Sequence, residues 1–238
     1  MNHSFSRRTA VGMAAAVAAQ PARAATPEKI AVIGTGNVGS NLGRRWAALG
    51  HSIVYGSRSP DAEKAKALLA ETGHGAKAAD PLTAAAQCDM ILIAVPSAVA
   101  VDVVKSLGNV AGKVLIDATN LLMIKDGKFL EPTDLSCLAL QILEAAPNAS
   151  VIKAFNTTNA RVMSDPGITG GPVTIPLAGA SRESKARVAA LAEALGFETA
   201  DLGGNDMFRM VEHLGRLYVG YGAQNRPRRL EIHLRAWG

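Results

Sequence analysis

Residues 29–49 read KIAVIGTGNVGSNLGRRWAAL. Lys29 to Ile33 is a short apolar run of the kind that forms a buried strand. The glycine-rich segment Gly34-Thr35-Gly36-Asn37-Val38-Gly39 follows at once and opens an amphipathic run that continues to Leu49. In that setting each glycine has a separate task. Gly34 lets the chain turn tightly, Gly36 lets backbone approach a pyrophosphate, and Gly39 lets the helix close on the sheet. The helix start adds unpaired N–H groups and the positive end of its dipole. The stretch therefore predicts the first strand, turn and helix of a dinucleotide-binding Rossmann unit.

Outward from this unit, short apolar runs alternate with longer amphipathic ones, the signature of βαβ repeats and a parallel sheet. Strands are predicted at 29–34, 52–56, 90–95, 113–117, 151–155 and 174–178, with a weaker one at 75–78. Helices are predicted at 38–49, 61–71, 82–87, 98–107, 138–146, 183–195 and 205–221. The fold class is α/β: a doubly wound, mostly parallel sheet with helices on both faces and a small C-terminal α/β extension. The expected division is a Rossmann domain at 29–179 and a substrate-side extension at 180–238. Residues 121–135 have no clean period and contain Asp126-Gly127, which predicts a surface loop or ragged hairpin beside the ligand crevice. Residues 226–238 alternate Leu230, Ile232 and Leu234 with Glu231, His233 and Arg235, as an edge strand or a subunit contact in a homodimer would.

The chain has 238 residues and a formal net charge of +5. Arg7, Arg8 and Arg23 lie ahead of residue 25 in a stretch without acids; setting them aside leaves 22 basic and 20 acidic side chains. That balance gives no reason to invoke nucleic acid or a membrane surface. Residues 1–24 combine the Arg7-Arg8 pair, an alanine-rich apolar stretch and Ala22-Arg23-Ala24, the parts of a twin-arginine export peptide, with Ala10 standing where a bulkier apolar residue is usual. The expected location is accordingly periplasmic or exported, with a cytoplasmic enzyme as the alternative. Cys88 and Cys137 cannot build a disulfide framework and lack metal-ligand spacing, and the five histidines are scattered singly, so no metal site is expected.

The end of the second strand selects the nucleotide. A carboxylate there would take the adenosine ribose 2′-hydroxyl, but the chain has Ser57-Arg58-Ser59 and no acid before Asp61. A guanidinium and hydroxyls suit a 2′-phosphate, so NADP(H) is the expected dinucleotide, and Thr35 could add another hydroxyl. Further along, Ala94-Val95-Pro96 ends one strand and Ala154-Phe155-Asn156 another. The first would accept the nicotinamide end; Phe155 could flank its ring and Asn156 hydrogen-bond its carboxamide. Asp117-Ala118-Thr119-Asn120 ends a third strand, with capping the simpler role for Asp117 and Thr119. No Tyr-x-x-x-Lys pair can be made: four residues beyond Tyr55, Tyr218 and Tyr221 stand Ser59, Gly222 and Asn225. Lys153 is followed at that spacing by Thr157 rather than asparagine. No strong general acid or base presents itself.

Taken together, Gly34 to Gly39, Gly56-Ser57-Arg58-Ser59-Pro60, Asp117 to Asn120 and Val151 to Thr157 resemble the NADP-dependent reductases of the deazaflavin coenzyme F-420 and the related reductase domain of six-transmembrane metalloreductases. The resemblance spans residue 29 to about residue 217. It implies that Thr35, Ser57 and Arg58 bind the 2′-phosphate side of NADP, and that the later strand ends, Asn120 among them, border the nicotinamide. It also implies direct hydride transfer to a stacked deazaflavin or flavin ring, a reaction governed by proximity rather than by an acid–base pair. The segment Arg209 to Leu214 resembles a pocket-closing helix, in which His213 could touch substrate. The rival from another class is a non-catalytic NADP(H)-binding sensor or scaffold.

Overall fold

A computed structural model describes residues 26–121, 123–125, 128–130, 137–225, 230–235 and 237. The expected export peptide at 1–24 lies outside the described residues.

The first half runs β1 (Lys29–Ile33), α1 (Asn37–Ala48), β2 (Ser52–Gly56), α2 (Glu63–Thr72), β3 (Lys77–Ala79), α3 (Pro81–Ala86), β4 (Met90–Ile93) and α4 (Ser97–Ser106). Next come β5 (Val114–Asp117), the two short strands β6 (Met123–Lys125) and β7 (Lys128–Leu130), α5 (Leu138–Ala145) and β8 (Ser150–Lys153). The last part holds α6 (Ala160–Ser164), β9 (Thr174–Leu177), α7 (Arg182–Glu193), β10 (Glu198–Asp201) and α8 (Phe208–Gln224).

Six strands form one parallel sheet in the order β3-β2-β1-β4-β5-β8. The chain winds outward from β1 to β3 and then returns to lay β4 on the other side of β1. That reversal opens a crevice at the carboxyl ends of β1 and β4, where open α/β sheets take their ligands. Alternation along the strands sorts their side chains to two faces. Ile30 and Val32 of β1 pack with Trp46, Tyr55, Ile175 and Leu191. Ala31 and Ile33 pack on the opposite face with Ile93, Val104, Ile142 and Phe208. Burial on both faces explains why these strands read as continuous apolar runs rather than alternating ones.

Local chemistry sets several helix starts. Asp80 accepts a hydrogen bond from Thr83 N at 3.0 Å with Pro81 at the first helical position, and Ser181 accepts from Ser184 N at 3.1 Å. Three of the sheet strands end one or two residues earlier than their apolar runs suggest. Gly34 turns the chain at φ +115°, Pro96 follows Val95, and Phe155 adopts φ +62°, so the ladder stops at Ile33, Ile93 and Lys153.

β9 and β10 make a separate two-stranded parallel sheet, tied to β8 by an antiparallel bridge between Lys153 and Ala178. The expected boundary after residue 179 falls between these two strands. Strand β10, of sequence ETAD, had no apolar pattern to announce it. The irregular stretch after β5 contains an antiparallel pair in which Ile124 faces Phe129 in register. The alternating C-terminal segment is not a ladder strand among its described residues. It lies along β9, where Thr174 N donates to Ile232 O at 2.8 Å and Leu234 N to Thr174 Oγ1 at 3.0 Å, and it buries Ile232. Among the described residues no helix is long and apolar enough to cross a membrane.

Candidate active site

The three glycines of the β1–α1 turn differ in what surrounds them. A Cβ at Gly34 would collide with the carbonyl of Ala94, and one at Gly39 with the carbonyl of Gly34. Those two are glycines because protein backbone passes against them. A Cβ at Gly36 would meet nothing within 4 Å. The face of the loop at Gly36 is therefore open, as close approach of a ligand phosphate requires. Helix α1 begins there with no capping side chain and no acid in its first turn. Its first N–H groups and dipole are left for an anion.

This turn borders a cavity of about 660 Å³ that reaches from Gly34-Thr35-Gly36 past Gly56 to Ser59 and on to Lys64, with Ala94-Val95-Pro96 as its other wall. Its charged lining residues are Arg58 and Lys64, both cationic and both exposed. Ser57 is fixed locally, its Oγ accepting from Ser59 N at 3.2 Å. A cavity with hydroxyls, two cations and no carboxylate fits a phosphorylated ribose. Lys64 is a contributor that sequence reading missed; its signal is a position within the first turn of the helix after β2.

A second cavity, of about 320 Å³, shares the Ala94-Val95-Pro96 wall and is completed by Val38, Ser97 and Ala118-Thr119-Asn120. No titratable side chain lines it. Asn120 is held in place, its Nδ2 donating to Asn156 O at 2.7 Å while Asn156 Nδ2 donates to Asn120 Oδ1 at 3.1 Å and Val211 O at 2.9 Å.

Four expected site residues are placed elsewhere. Phe155 is fully buried, its ring edge-on to Trp46 at 5.8 Å and to Phe197 at 6.4 Å, so it fills the core and does not flank the crevice. Positive φ at this position turns the side chain away from the direction that strand alternation suggests. Ala154 is likewise a core residue with no exposed surface. Asn156 is 1% exposed and supports Asn120 from beneath, with its own Oδ1 unpaired. His213 sits on the exposed side of α8 and lines none of the cavities described above.

Sequence reading also missed a buried ionic cluster. Asp117, Lys153 and Glu212 are each at most 1% exposed. Lys153 Nζ donates to Asp117 Oδ2 at 2.8 Å and to Thr119 O at 2.5 Å, and lies 3.4 Å from Glu212 Oε1. The available signal was a charged residue closing each of two otherwise apolar strands, VLID and VIK. The two thiols are inert by placement: burial pushes both Cys88 and Cys137 up to about 11. No group of side chains suited to a metal occurs among the described residues.

A Rossmann sheet, a phosphate turn at its switch point and a cationic pocket free of carboxylates define the class as an NADP-dependent oxidoreductase. Residues 29–121 match the family described as NADP oxidoreductase, coenzyme F-420-dependent. The chain is 33% identical to a protein from Arthrobacter sp. FB24 assigned as a candidate F-420-dependent NADP reductase, whose crystal structure superposes with a TM-score of 0.75 over 83% of this chain and 95% of that one. A hypothetical protein of Sinorhizobium meliloti is 30% identical, with a TM-score of 0.64 over 74% of this chain and 85% of that one. Metalloreductase STEAP3 of Rattus norvegicus is 26% identical over 190 residues, 77% of this chain and 36% of that protein. The chain thus spans about a third of the length of that relative. It belongs to the family of coenzyme F-420-dependent NADP oxidoreductases.

Proposed function

We propose that the chain is an NADPH-dependent reductase exchanging a hydride between the nicotinamide and a flavin-like acceptor, a deazaflavin such as coenzyme F-420 or a flavin. One observation carries this reading: two cavities meet on Ala94-Val95-Pro96, one cationic and hydroxyl-rich, the other without a titratable group. The first suits the phosphorylated adenosine end of NADPH. The second suits an end at which nothing but hydride moves.

Arg58 and Lys64 would hold the 2′-phosphate, with Thr35 and Ser57 as hydroxyl partners. The N–H groups opening α1, next to Gly36, would hold the pyrophosphate. When bound, NADPH supplies a hydride from its nicotinamide C4. Ala94, Val95 and Pro96 present an apolar wall that fixes the plane of whatever lies against it and excludes water. The Asn120 amide, already oriented by Asn156, offers polar contact on that side. Such a site accelerates transfer by proximity and orientation, so it needs no general acid or base in contact with the reacting carbon.

The test is a stopped-flow screen following NADPH oxidation with coenzyme F-420, FMN, FAD and a ferric chelate. Rapid oxidation with one of the ring acceptors is expected. A chain that binds NADPH and reduces none of the four would be a sensor or scaffold instead. We further propose that residues 1–24 direct export by the twin-arginine route. Fractionation of cells carrying Arg7→Lys/Arg8→Lys should then find the protein retained in the cytoplasm.

A further inference from the structure

The buried cluster has no part in the contacts just described, yet its hydrogen bonds converge on them. Asp117 Oδ1 accepts from both Thr119 N at 2.9 Å and Thr119 Oγ1 at 2.6 Å, while Lys153 holds the Thr119 carbonyl. The turn that lines the acceptor-side cavity is therefore bonded through its amide, its hydroxyl and its carbonyl. On the other side of Lys153, Glu212 Oε1 accepts from Ala139 N at 2.9 Å, tying α8 to the start of α5. One turn further along α8, Gly215 lies so close to the Asn120 and Asn156 amides that a Cβ would clash with both. Helix α8 is thus seated on the same strand ends by Glu212, by the Val211 carbonyl and by the approach at Gly215.

Burying three charges is a poor way to gain stability alone, because well-packed apolar side chains of similar volume serve as well or better. Directional bonds to one turn are what apolar side chains cannot supply. We infer that Lys153, held between Asp117 and Glu212, is a positioning residue that fixes the Thr119-Asn120 turn and α8 against the nicotinamide side of the crevice. Its removal loosens the nicotinamide half of NADPH and leaves the adenosine half bound. The inference rests on the reading that NADPH occupies this crevice.

Titration calorimetry of the full chain with two ligands separates the halves: NADPH, and 2′,5′-ADP, which carries only the adenosine end. Two variants are compared with the parent. Lys153→Met removes the cation, and Asp117→Asn/Lys153→Met/Glu212→Gln removes all three buried charges together, and with them only the ion pair of the partly exposed Arg216, 3.9 Å from Glu212 Oε2 in the parent. In the folded variants 2′,5′-ADP should bind as in the parent while NADPH binds about 10-fold more weakly, the equivalent of one lost oriented contact. Equal weakening of both ligands, or of neither, overturns the inference, and so does failure of both variants to fold, which would assign the cluster to stability. A parent chain that binds neither ligand overturns the nucleotide reading itself, and this inference with it.

Discussion

The two ends of the crevice are built in different ways. Apart from the Ala94-Val95-Pro96 wall that both ends share, the adenosine end comes from consecutive pieces of chain: a strand, its turn, the helix after it, the end of the next strand and the first turn of the next helix. The nicotinamide end is assembled from parts far apart in sequence, with Asn120 bonded to Asn156, Asn156 to Val211 and Glu212 to Ala139. At the first end the backbone makes the site and a few side chains select the nucleotide. At the second, side chains bonded to one another hold a turn that would otherwise be free to move. Substitutions should therefore act locally and separably at the adenosine end, and through the network at the other.

The largest effect is expected where backbone itself blocks a side chain. Gly34→Ala combines a φ of +115° with collision against the Ala94 carbonyl and should cost about 3 kcal/mol or more, read as a lowered Tm. Gly36→Ala, two residues away in open space, should melt like the parent and lose nucleotide affinity. Equal melting of the two variants would remove the distinction between glycines required by the fold and the one kept for a ligand.

At the far end, Gly215→Ala pushes a methyl group into the Asn120 and Asn156 amides and should destabilise by about 1–3 kcal/mol. It should also weaken NADPH more than 2′,5′-ADP. A comparable loss comes from Arg58→Ala, which removes a charge-assisted contact to the 2′-phosphate. NADPH should then bind about 10- to 100-fold more weakly, NADH as before, and the Tm should hold because Arg58 is exposed. Equal affinity of the parent for NADH and NADPH would break the specificity argument.

The same contrast explains what the sequence could reveal. The β1–α1 turn and Ser57-Arg58-Ser59 are legible because their function follows from local conformation and residue type. Seven strands and seven helices follow from apolar periodicity, whereas β10 does not, since the strand ETAD shows no buried face. Phe155 was misplaced because a positive φ reverses the direction a strand residue would point, and no periodicity encodes that. Lys153 and Glu212 were overlooked because each is an ordinary charged residue in sequence. Only the fold brings them together, across 59 positions, into an enclosed pair.

The smallest predicted effect is the most diagnostic of the adenosine end. Lys64 stands in the first turn of α2, where the helix dipole disfavours a cation. Among the described residues Lys64 makes no ion pair that would offset this; the ion pair in that turn is Glu63 with Lys66. Lys64→Gln should therefore leave the free chain slightly more stable, by about 0.3 kcal/mol. It should at the same time weaken NADPH several-fold, less than Arg58→Ala does, because a flexible ammonium gives charge without a bidentate fork. The loss should shrink as salt is raised, since both partners face solvent. Opposite signs for stability and binding identify a residue kept for its ligand, whereas a Lys64→Gln variant that loses stability and keeps its NADPH affinity would return Lys64 to the role of a solvated surface charge.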